Sequence, residues 1–563
     1  MTLTKLASAA ALAALFLSTL PATGSAALLH TAEDRVVTNP NDGTEIAITA
    51  FTPSGAGPAS QVPVILHSHG WGGSRETEVA GVQPFLDAGF GVVSIDQRGH
   101  GDSGGEANVQ DPRLETEDIS AVIDEIARWN WVEHDRAADG SVIADDPVLG
   151  AVGGSYGGGY QTMTSLDEID ETGRTRFNAL APQITWYDLP ESLAPQGVVR
   201  SAWNVVLYAA GSSMVPQYIH EAFAWGSTTG LWPDGTVLGE EVDGVPDLDS
   251  EFHQHSPVAF VERGVRIDVP ILLRQGTSDN LFNLNQGLDI FERALTDEAR
   301  DQSLFVAYNG GHALPNVAPP GAPMAAELGG GVDACSGDFT QLSIRFFKAV
   351  FAGADTEGLL PRRYNLTDLS GERCISAGSL RSDGSLAVEP VTGDVVTTTG
   401  AGAPQQIAIA EGPLTVTGVP RLSGIVTSAG IEGRAFFGLS VGTNPADATV
   451  IQNNLMPLRR VLPVQDEEFT IELPGVVVNV AEGETLFLTI SPFSDMSFGH
   501  GSRVPGALLL SDLQLTLPGP HPEKGGPGNG NGKGKGKGKG HDKARGKGHG
   551  NSNGKGHGED EGR

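Results

Sequence analysis

Short apolar segments alternate with helix-like segments from residue 30 to about residue 355, and this alternation constrains the fold more than any other feature of the sequence. Segments such as VPVILHSHG, GVVSIDQRG and VPILLRQG are continuous apolar runs rich in valine and isoleucine. Runs of this kind are typical of strands in a sheet that is buried on both faces. Strands that alternate with helices form a mainly parallel sheet with helices on both sides. We therefore predict an α/β domain over residues 28–364.

One long connection interrupts this alternation. Roughly 85 residues separate the segments ALAPQI and VPILLRQG, far more than an ordinary connection between a strand and the next. The connection is rich in aromatic residues, as in SAWNVVLYAAG and EAFAWGSTTGLW. We interpret it as a largely helical cap over the sheet, at about residues 185–262.

The pattern changes after residue 365. Short alternating runs such as RAFFGLSVG and ETLFLTISPF are separated by Gly, Pro, Asn and Asp, and helical periodicity is weak. This pattern is typical of antiparallel sandwiches. We predict an all-β jelly-roll domain over residues 365–518.

The amino-terminal segment has the features of a secretory signal. Lys5 precedes the apolar run LASAAALAALFLSTL, and small residues follow it. A membrane anchor is the alternative, but a spanning helix needs roughly 20 apolar residues, more than this run provides. We therefore expect residues 1–27 to be removed and the mature protein to be secreted, without a membrane span.

The two cysteines, Cys335 and Cys374, fit an exported protein. An even number of cysteines in an oxidising compartment indicates a disulfide, and two buried free thiols are the alternative. Such a bridge would close a loop of about 40 residues and add on the order of 4 kcal/mol of stability.

Charge is distributed unevenly along the chain. The formal net charge is −33 even though the carboxy-terminal segment, residues 519–563, is a basic run of Gly, Lys and His. The preceding part is therefore strongly acidic, which disfavours binding to nucleic acid. The tail has almost no apolar residues, so we expect it to be disordered. It is either simply solvated or a tether to an anionic surface polymer, and its histidines (His541, His549 and His557) could hold a metal weakly.

The segment VLGAVGGSYGGGYQT places Ser155 between a strand and a helix, surrounded by glycines. Gly153 and Gly157 complete a G-x-S-x-G pattern, and Gly158 follows. In this context the serine lies in a sharp turn that exposes its hydroxyl, and small neighbours let the strand and helix approach. The sequence therefore predicts Ser155 as a nucleophile.

A serine nucleophile needs a base and an acid that orients the base. In this architecture the chain order is Ser, then Asp or Glu, then His. We choose His312, in AYNGGHALP after the last predicted strand, over His500 in the all-β part. Asp279, in GTSDNLF, is our choice for the acid, and Asp301 ranks second.

An oxyanion hole requires backbone donors, usually the N–H after the nucleophile and one from an early loop. Here these are the N–H groups of Tyr156 and Trp71. His67 and His69 suggest a metal site, but they lack the further ligands that zinc requires. We expect His69 and Gly70 to shape the oxyanion loop, and we expect no metal and no cofactor.

Together these motifs resemble the α/β-hydrolase enzymes, and more narrowly the X-prolyl dipeptidyl-peptidase and cocaine-esterase family of serine hydrolases. The resemblance covers roughly residues 40–518 and implies a jelly-roll domain after the catalytic one. Two departures are visible: YNGGH replaces the family's G-P-W-x-H, and Trp71 stands where a tyrosine is usual. The matching residues are Gly153, Ser155, Tyr156 and Gly158 of G-x-S-Y-x-G, and Asp96, Arg98, Gly99, Ser103 and Gly105 of D-x-R-G-x-x-x-S-x-G.

The resemblance implies acyl-enzyme chemistry on an ester or amide. We favour release of an N-terminal Xaa-Pro dipeptide, which needs an acidic anchor for the free amine. Candidates in the cap are Asp188, Glu191 and Glu221. The alternatives are a carboxylic-ester hydrolase or acylase of the same family, and a catalytically silent surface-binding protein.

Overall fold

The largest element of the fold is a sheet of ten strands that runs through the amino-terminal part of the chain. The computed structural model describes residues 29–312, 314, 332–361, 363–381, 386–387, 393–498 and 506–518. The predicted signal sequence, the basic tail with its histidines and His500 lie outside the described residues. In chain order the strands are β1 (Thr31–Thr38), β2 (Glu45–Thr52), β3 (Val64–Ser68), β4 (Gly91–Ile95), β5 (Leu149–Gly154), β6 (Ala179–Gln183), β7 (Leu272–Gly276), β8 (Leu304–Tyr308), β9 (Tyr364–Thr367) and β10 (Cys374–Ala377).

The spatial order of the strands is β1-β2-β4-β3-β5-β6-β7-β8-β9-β10. The pairs from β4 to β9 are parallel, whereas β1 with β2, β2 with β4, and β9 with β10 are antiparallel. Every residue of β3, β4, β5, β6, β7 and β8 is buried, as continuous apolar strands between two helical layers require. The predicted α/β fold with a mainly parallel sheet is confirmed.

Helices cover the sheet and form the cap. Outside the cap they are α1 (Val79–Asp87), α2 (Glu115–Ala127), α3 (Tyr156–Thr172), α9 (Leu284–Arg293), α10 (Asp297–Asp301) and α11 (Phe339–Phe351). Between β6 and β7, where the sequence predicts a helical cap, lie α4 (Leu189–Leu193), α5 (Ser201–Gly211), α6 (Gln217–Thr229), α7 (Leu248–Gln254) and α8 (Pro257–Glu262). No helix among the described residues is both long and apolar enough to cross a membrane.

The sheet extends beyond the predicted boundary at residue 364. Strand β9 pairs with β8, and β10 continues the sheet as far as Ala377, so these strands belong to the α/β part. The short edge strand β10 is only partly buried and lacks the continuous apolar run of the inner strands, so its sequence does not mark it as part of this sheet. Cys374 in this strand forms a disulfide with Cys335, as expected, and thereby ties the sheet edge to the segment before α11.

The carboxy-terminal part consists mostly of antiparallel strands in several sheets with their own apolar core. Its jelly-roll topology stays a prediction. The described residues of both parts belong to one compact unit. The main strands are Val395–Thr398, Gln405–Glu411, Leu414–Gly418, Arg421–Gly430, Gly433–Gly442, Met456–Arg460, Glu467–Glu472, Val476–Val480, Thr485–Ser491 and Gly506–Leu517.

Candidate active site

Ser155 lies in a strained turn between β5 and α3. Its backbone has φ 57° and ψ −119°, a conformation that residues with a side chain rarely adopt. Gly157, on the next turn, lies so close to β3 that a Cβ atom there would be 2.4 Å from the carbonyl oxygen of Ser68. A larger residue at this position would push the helix away from the strand. Glycine in this motif therefore lets α3 pack closely against β3, as the sequence predicts.

The structure brings Ser155, Asp279 and His312 together. Nε2 of His312 lies 2.9 Å from Oγ of Ser155. Nδ1 of the same imidazole lies 2.7 Å from Oδ2 of Asp279. Both distances are those of ordinary hydrogen bonds. The imidazole therefore lies between the carboxylate and the hydroxyl, as nucleophilic serine chemistry requires. Asp301, the second choice for the acid, instead pairs with Arg363 at 2.7 Å.

The carboxylate of Asp279 accepts hydrogen bonds on both oxygens. Oδ1 accepts the backbone N–H groups of Leu281 at 3.0 Å and Phe282 at 2.7 Å. Oδ2 accepts the backbone N–H of His312 at 3.0 Å, in addition to the imidazole N–H. The side chain is fully buried. Four donors therefore surround a buried acceptor, which orients His312 and fixes its proton on Nδ1.

A hydrogen-bond network from other parts of the chain holds the loop that carries Asp279. The indole N–H of Trp203, in the cap, donates to Oδ1 of Asn280 at 2.7 Å. Nδ2 of Asn454, in the β-rich part, donates to the backbone carbonyl of Asp279 at 3.0 Å. The backbone of Asn280 is also held in place, because its N–H donates to the carbonyl of His312 at 2.8 Å.

These supporting residues have little or no signal in the sequence. Asn280 adjoins the predicted acid, but a TSDN segment is equally typical of a plain turn. Asn454 carries no signal in the sequence, because its role depends on how the β-rich part packs against the loop.

The two predicted oxyanion donors lie beside the serine. Tyr156 is the first residue of α3, where a backbone N–H has no partner within the helix. Trp71 and Tyr156 line the same cavity as Ser155. The indole N–H of Trp71 donates to the carbonyl of Leu207 at 2.9 Å, so only its backbone N–H is left for an oxyanion.

His69 and Gly70 lead into a turn of the early loop, in which the backbone N–H of Gly73 donates to the carbonyl of Gly70 at 2.9 Å. Nδ1 of His69 lies 2.8 Å from the carbonyl oxygen of Gly70, and Nε2 accepts the backbone N–H of Gln97 at 3.1 Å. His67 lies 2.8 Å from the hydroxyl of Ser94, and burial lowers the pKa of its imidazole to about 3. Both imidazoles take part in local hydrogen bonds.

A buried carboxyl lies beneath Tyr156. Glu115, in α2, accepts the backbone N–H of Asn108 at 2.6 Å and that of Asp111 at 2.8 Å. Its carboxyl is 3.4 Å from the hydroxyl of Tyr156. Burial raises the pKa of Glu115 to about 8, so the protonated form is favoured at neutral pH.

The cavity above Ser155 has a volume of about 160 Å³ and opens between the sheet and the cap. Aromatic and aliphatic side chains form most of its wall, and its polar contributions come from hydroxyl and amide groups. Among the described residues, no acidic or basic side chain lines it. The wall includes Trp71, Trp186, Leu189, Leu193, Val199, Val215, Phe223, Trp232, Phe252, Leu281 and Phe282.

The three acids considered as anchors for a free amine do not line this cavity. Asp188 caps α4 by accepting the backbone N–H of Glu191 at 3.0 Å. Glu191 borders a separate polar pocket, which shares Leu281 with the cavity. Glu221 is exposed on α6 and accepts from Gln217 at 3.1 Å.

Comparison with known proteins agrees with the fold and the motifs. Residues 42–313 match the family model of the X-Pro dipeptidyl-peptidases (S15 family). An uncharacterized 31.7 kDa protein of Escherichia coli, encoded in the traX-finO intergenic region, is 34% identical over 116 residues, which are 20% of this chain. The chain spans only 35% of the length of that relative.

Two solved structures have the same fold over most of the chain. A CocE/NonD family hydrolase from Staphylococcus aureus gives a TM-score of 0.56 at 14% identity, covering 86% of this chain and 93% of the other. An α-amino acid ester hydrolase gives 0.55 at 12% identity, covering 89% of this chain and 100% of the other. Likeness at such identities shows the fold. Together with the family match over residues 42–313, these observations show an α/β-hydrolase fold and support a hydrolase similar to the S15 family.

Proposed function

We propose that this protein is a secreted serine hydrolase that forms an acyl-enzyme on Ser155. The observation that carries the proposal is the position of His312, with one ring nitrogen 2.9 Å from the serine hydroxyl and the other 2.7 Å from a buried carboxylate. Such a pair activates a hydroxyl that is otherwise a weak nucleophile near neutral pH.

In the proposed reaction, Oγ of Ser155 attacks the substrate carbonyl carbon while Nε2 of His312 takes the hydroxyl proton. Asp279 stabilises the imidazolium, and the N–H groups of Tyr156 and Trp71 donate to the oxyanion. His312 then gives its proton to the departing alcohol or amine. Water attacks the acyl-enzyme with His312 as the base again, which releases the acid and restores Ser155.

We propose esters or amides with an apolar acyl group as the substrates. Apolar walls surround the serine, and among the described residues they include no carboxylate that could bind the ammonium group of a free N-terminus. An unpaired ammonium group in such a cavity would carry a large desolvation cost. An ester hydrolase or acylase therefore fits the cavity better than a dipeptidyl-peptidase, which was favoured on the sequence.

A dipeptidyl-peptidase stays the second candidate, because the matching family model bears that description. In this reading the substrate ammonium would reach the polar pocket behind Leu281, which Glu191 borders together with Asp289 and Glu472.

Three substrates distinguish the candidates: an aryl butyrate ester, Ala-Pro anilide and acetylated Ala-Pro anilide. We expect fast cleavage of the ester and no preference for the free-amine anilide over its acetylated form. Cleavage of the free-amine anilide alone would establish the peptidase.

A fluorophosphonate probe tests the enzyme proposal itself and the silent binding protein. We expect labelling of the wild type and of Ser227→Ala, which removes another serine of the same cavity wall. We expect no labelling of Ser155→Ala, with turnover lowered at least about 10³-fold and nearly unchanged stability. Equal labelling of all three proteins would reject Ser155 as the nucleophile.

The proposed secretion is supported by the signal-like residues 1–27 and by the disulfide, a bond typical of oxidising compartments. Amino-terminal sequencing of protein from the culture medium tests it. We expect a mature chain that begins near Ala26 or Ala27; a cell-associated chain that still carries residues 1–27 would contradict secretion.

A further inference from the structure

A second cluster of polar side chains lies outside the candidate triad. It joins Asp111, in the loop before α2, to Glu251 and His255 at helix α7 of the cap. Nε2 of His255 is 3.6 Å from a carboxylate oxygen of Glu251 and 3.9 Å from one of Asp111. One atom from each side chain lies within 4.8 Å of the others.

The imidazole of His255 is fully buried, and neither ring nitrogen makes a hydrogen bond among the described residues. The distances of 3.6 and 3.9 Å from Nε2 to the carboxylates are too long for hydrogen bonds. Buried polar atoms without a partner are rare in folded proteins, because they lose their water without replacement. The ring therefore points Nε2 toward two carboxylates at ion-pair distances, without a hydrogen bond of ordinary length to either.

These separations are close to those between ligands of one small metal ion. Two ligands about 2.1 Å from a zinc ion are about 3.4 Å apart at the tetrahedral angle, and slightly farther apart at wider angles. Imidazole with two carboxylates is a ligand set that suits Zn²⁺, whereas Ca²⁺ and Mg²⁺ prefer oxygen ligands alone. Two carboxylates and a neutral imidazole also balance the charge of a divalent ion.

Arg113 supplies the positive charge in this structure. Its guanidinium donates to both oxygens of Asp111 at 2.8 Å, including Oδ1, which faces His255, and it also contacts the Glu251 oxygen that faces His255. The side chain of Arg113 is 69% exposed, so its end can move into solvent. Arg113 leaves both nitrogens of His255 without a hydrogen bond of ordinary length, and a metal ion would give Nε2 a direct bond.

We propose that Asp111, Glu251 and His255 bind Zn²⁺, or a transition-metal ion of similar chemistry, and so fasten the cap to the loop before α2. The site is connected to the cavity above Ser155 through α7. Leu248 and Phe252 of this helix line the cavity, and the carbonyl of His255 accepts the indole N–H of Trp186, another wall residue, at 3.0 Å. Binding at this site would hold that wall in place.

Calorimetric titration of the full-length protein with zinc chloride, together with thermal unfolding, tests the proposal. We expect one site that binds Zn²⁺ in preference to Ca²⁺ and raises the unfolding temperature. His255→Gln and Glu251→Gln should each weaken this site at least about tenfold. Arg113→Gln should strengthen it, because the competing cation is removed.

The second acidic cluster supplies the control. Glu171 lies in a group of three carboxylates without histidine, and Glu171→Gln should bind Zn²⁺ like the wild type. The histidines of the tail are common to all variants, and their binding should not change the unfolding temperature. If His255→Gln fails to fold, the half-exposed Glu251 variant carries the test.

Two outcomes would overturn the proposal. The first is equal Zn²⁺ binding by the wild type, His255→Gln and Glu251→Gln, which would place all the binding in the tail. The second is an Arg113→Gln variant that loses stability without gaining affinity, which would make Arg113 the permanent counter-ion of this cluster.

Discussion

Replacing Asp279 by asparagine tests whether the carboxylate holds His312 in the tautomer that can accept the serine proton. The native carboxylate accepts four N–H groups, two on each oxygen. An asparagine keeps the shape of the side chain, but it offers only one oxygen and presents an NH₂ group at the other position.

The structure predicts which way the amide turns. With its NH₂ group at the Oδ1 position, it would leave the backbone N–H groups of Leu281 and Phe282 without an acceptor. At the Oδ2 position it would leave only the backbone N–H of His312 unpaired. Each unpaired buried donor costs about 1–3 kcal/mol, so the second orientation is preferred. The amide then donates to Nδ1, and the imidazole proton moves to Nε2.

When Nε2 of His312 already carries a proton, it cannot accept the proton of Ser155. We therefore expect kcat to fall by about 10⁴. The one unpaired donor should lower the free energy of unfolding by about 1–3 kcal/mol. Hydrolysis of an aryl ester measures the first quantity, and urea unfolding measures the second.

Asp338→Asn is the matched control. Asp338 caps α11 by accepting the backbone N–H of Gln341 at 3.1 Å, and asparagine caps a helix equally well. This variant should keep its activity and stability. An Asp279→Asn enzyme with kcat within tenfold of the wild type would refute the argument on the tautomer.

Three further perturbations test other parts of the structure. Asn454→Ala removes a donor to the carbonyl of Asp279, so we expect kcat to fall more than KM rises and stability to drop by about 1–3 kcal/mol in urea unfolding; an unchanged kcat would show that the β-rich part does not position the acid. Cys335→Ser opens a disulfide that spans 39 residues, and denaturant unfolding should show a loss of about 4 kcal/mol; a variant as stable as the oxidised wild type would contradict this. Because burial raises the folded-state pKa of Glu115 to about 8, above about 4.3 in the unfolded chain, its contribution to stability is complete at low pH and is lost as the pH rises toward 8. Glu115→Gln should flatten this slope between pH 5 and 8, and an identical slope would show that Glu115 does not cause it.

Much of the candidate site could be predicted from the sequence because its signals are local. The turn at Ser155 depends on glycines that are its immediate neighbours. One of them, Gly157, lies in the first turn of α3, where the helix packs closely against β3. Chain order then identified Asp279 and His312, because both follow the ends of neighbouring parallel strands, and such ends meet at one edge of a sheet. The burial of the inner strands could also be predicted, because a continuous apolar run is visible within each strand's own sequence.

What the sequence by itself determined is therefore the mainly parallel sheet and the chain order of the candidate triad, whereas it left two free thiols as an alternative to the disulfide. Only the tertiary structure decided that the cavity wall around Ser155 is apolar, that Asn454 supports Asp279 from a distant part of the chain, and that His255 meets Asp111. It also moved the end of the sheet from residue 364 to Ala377. The physical reason is that strand and turn preferences depend on neighbouring residues, whereas the polarity of a cavity and the partners of a buried group depend on which distant segments pack together.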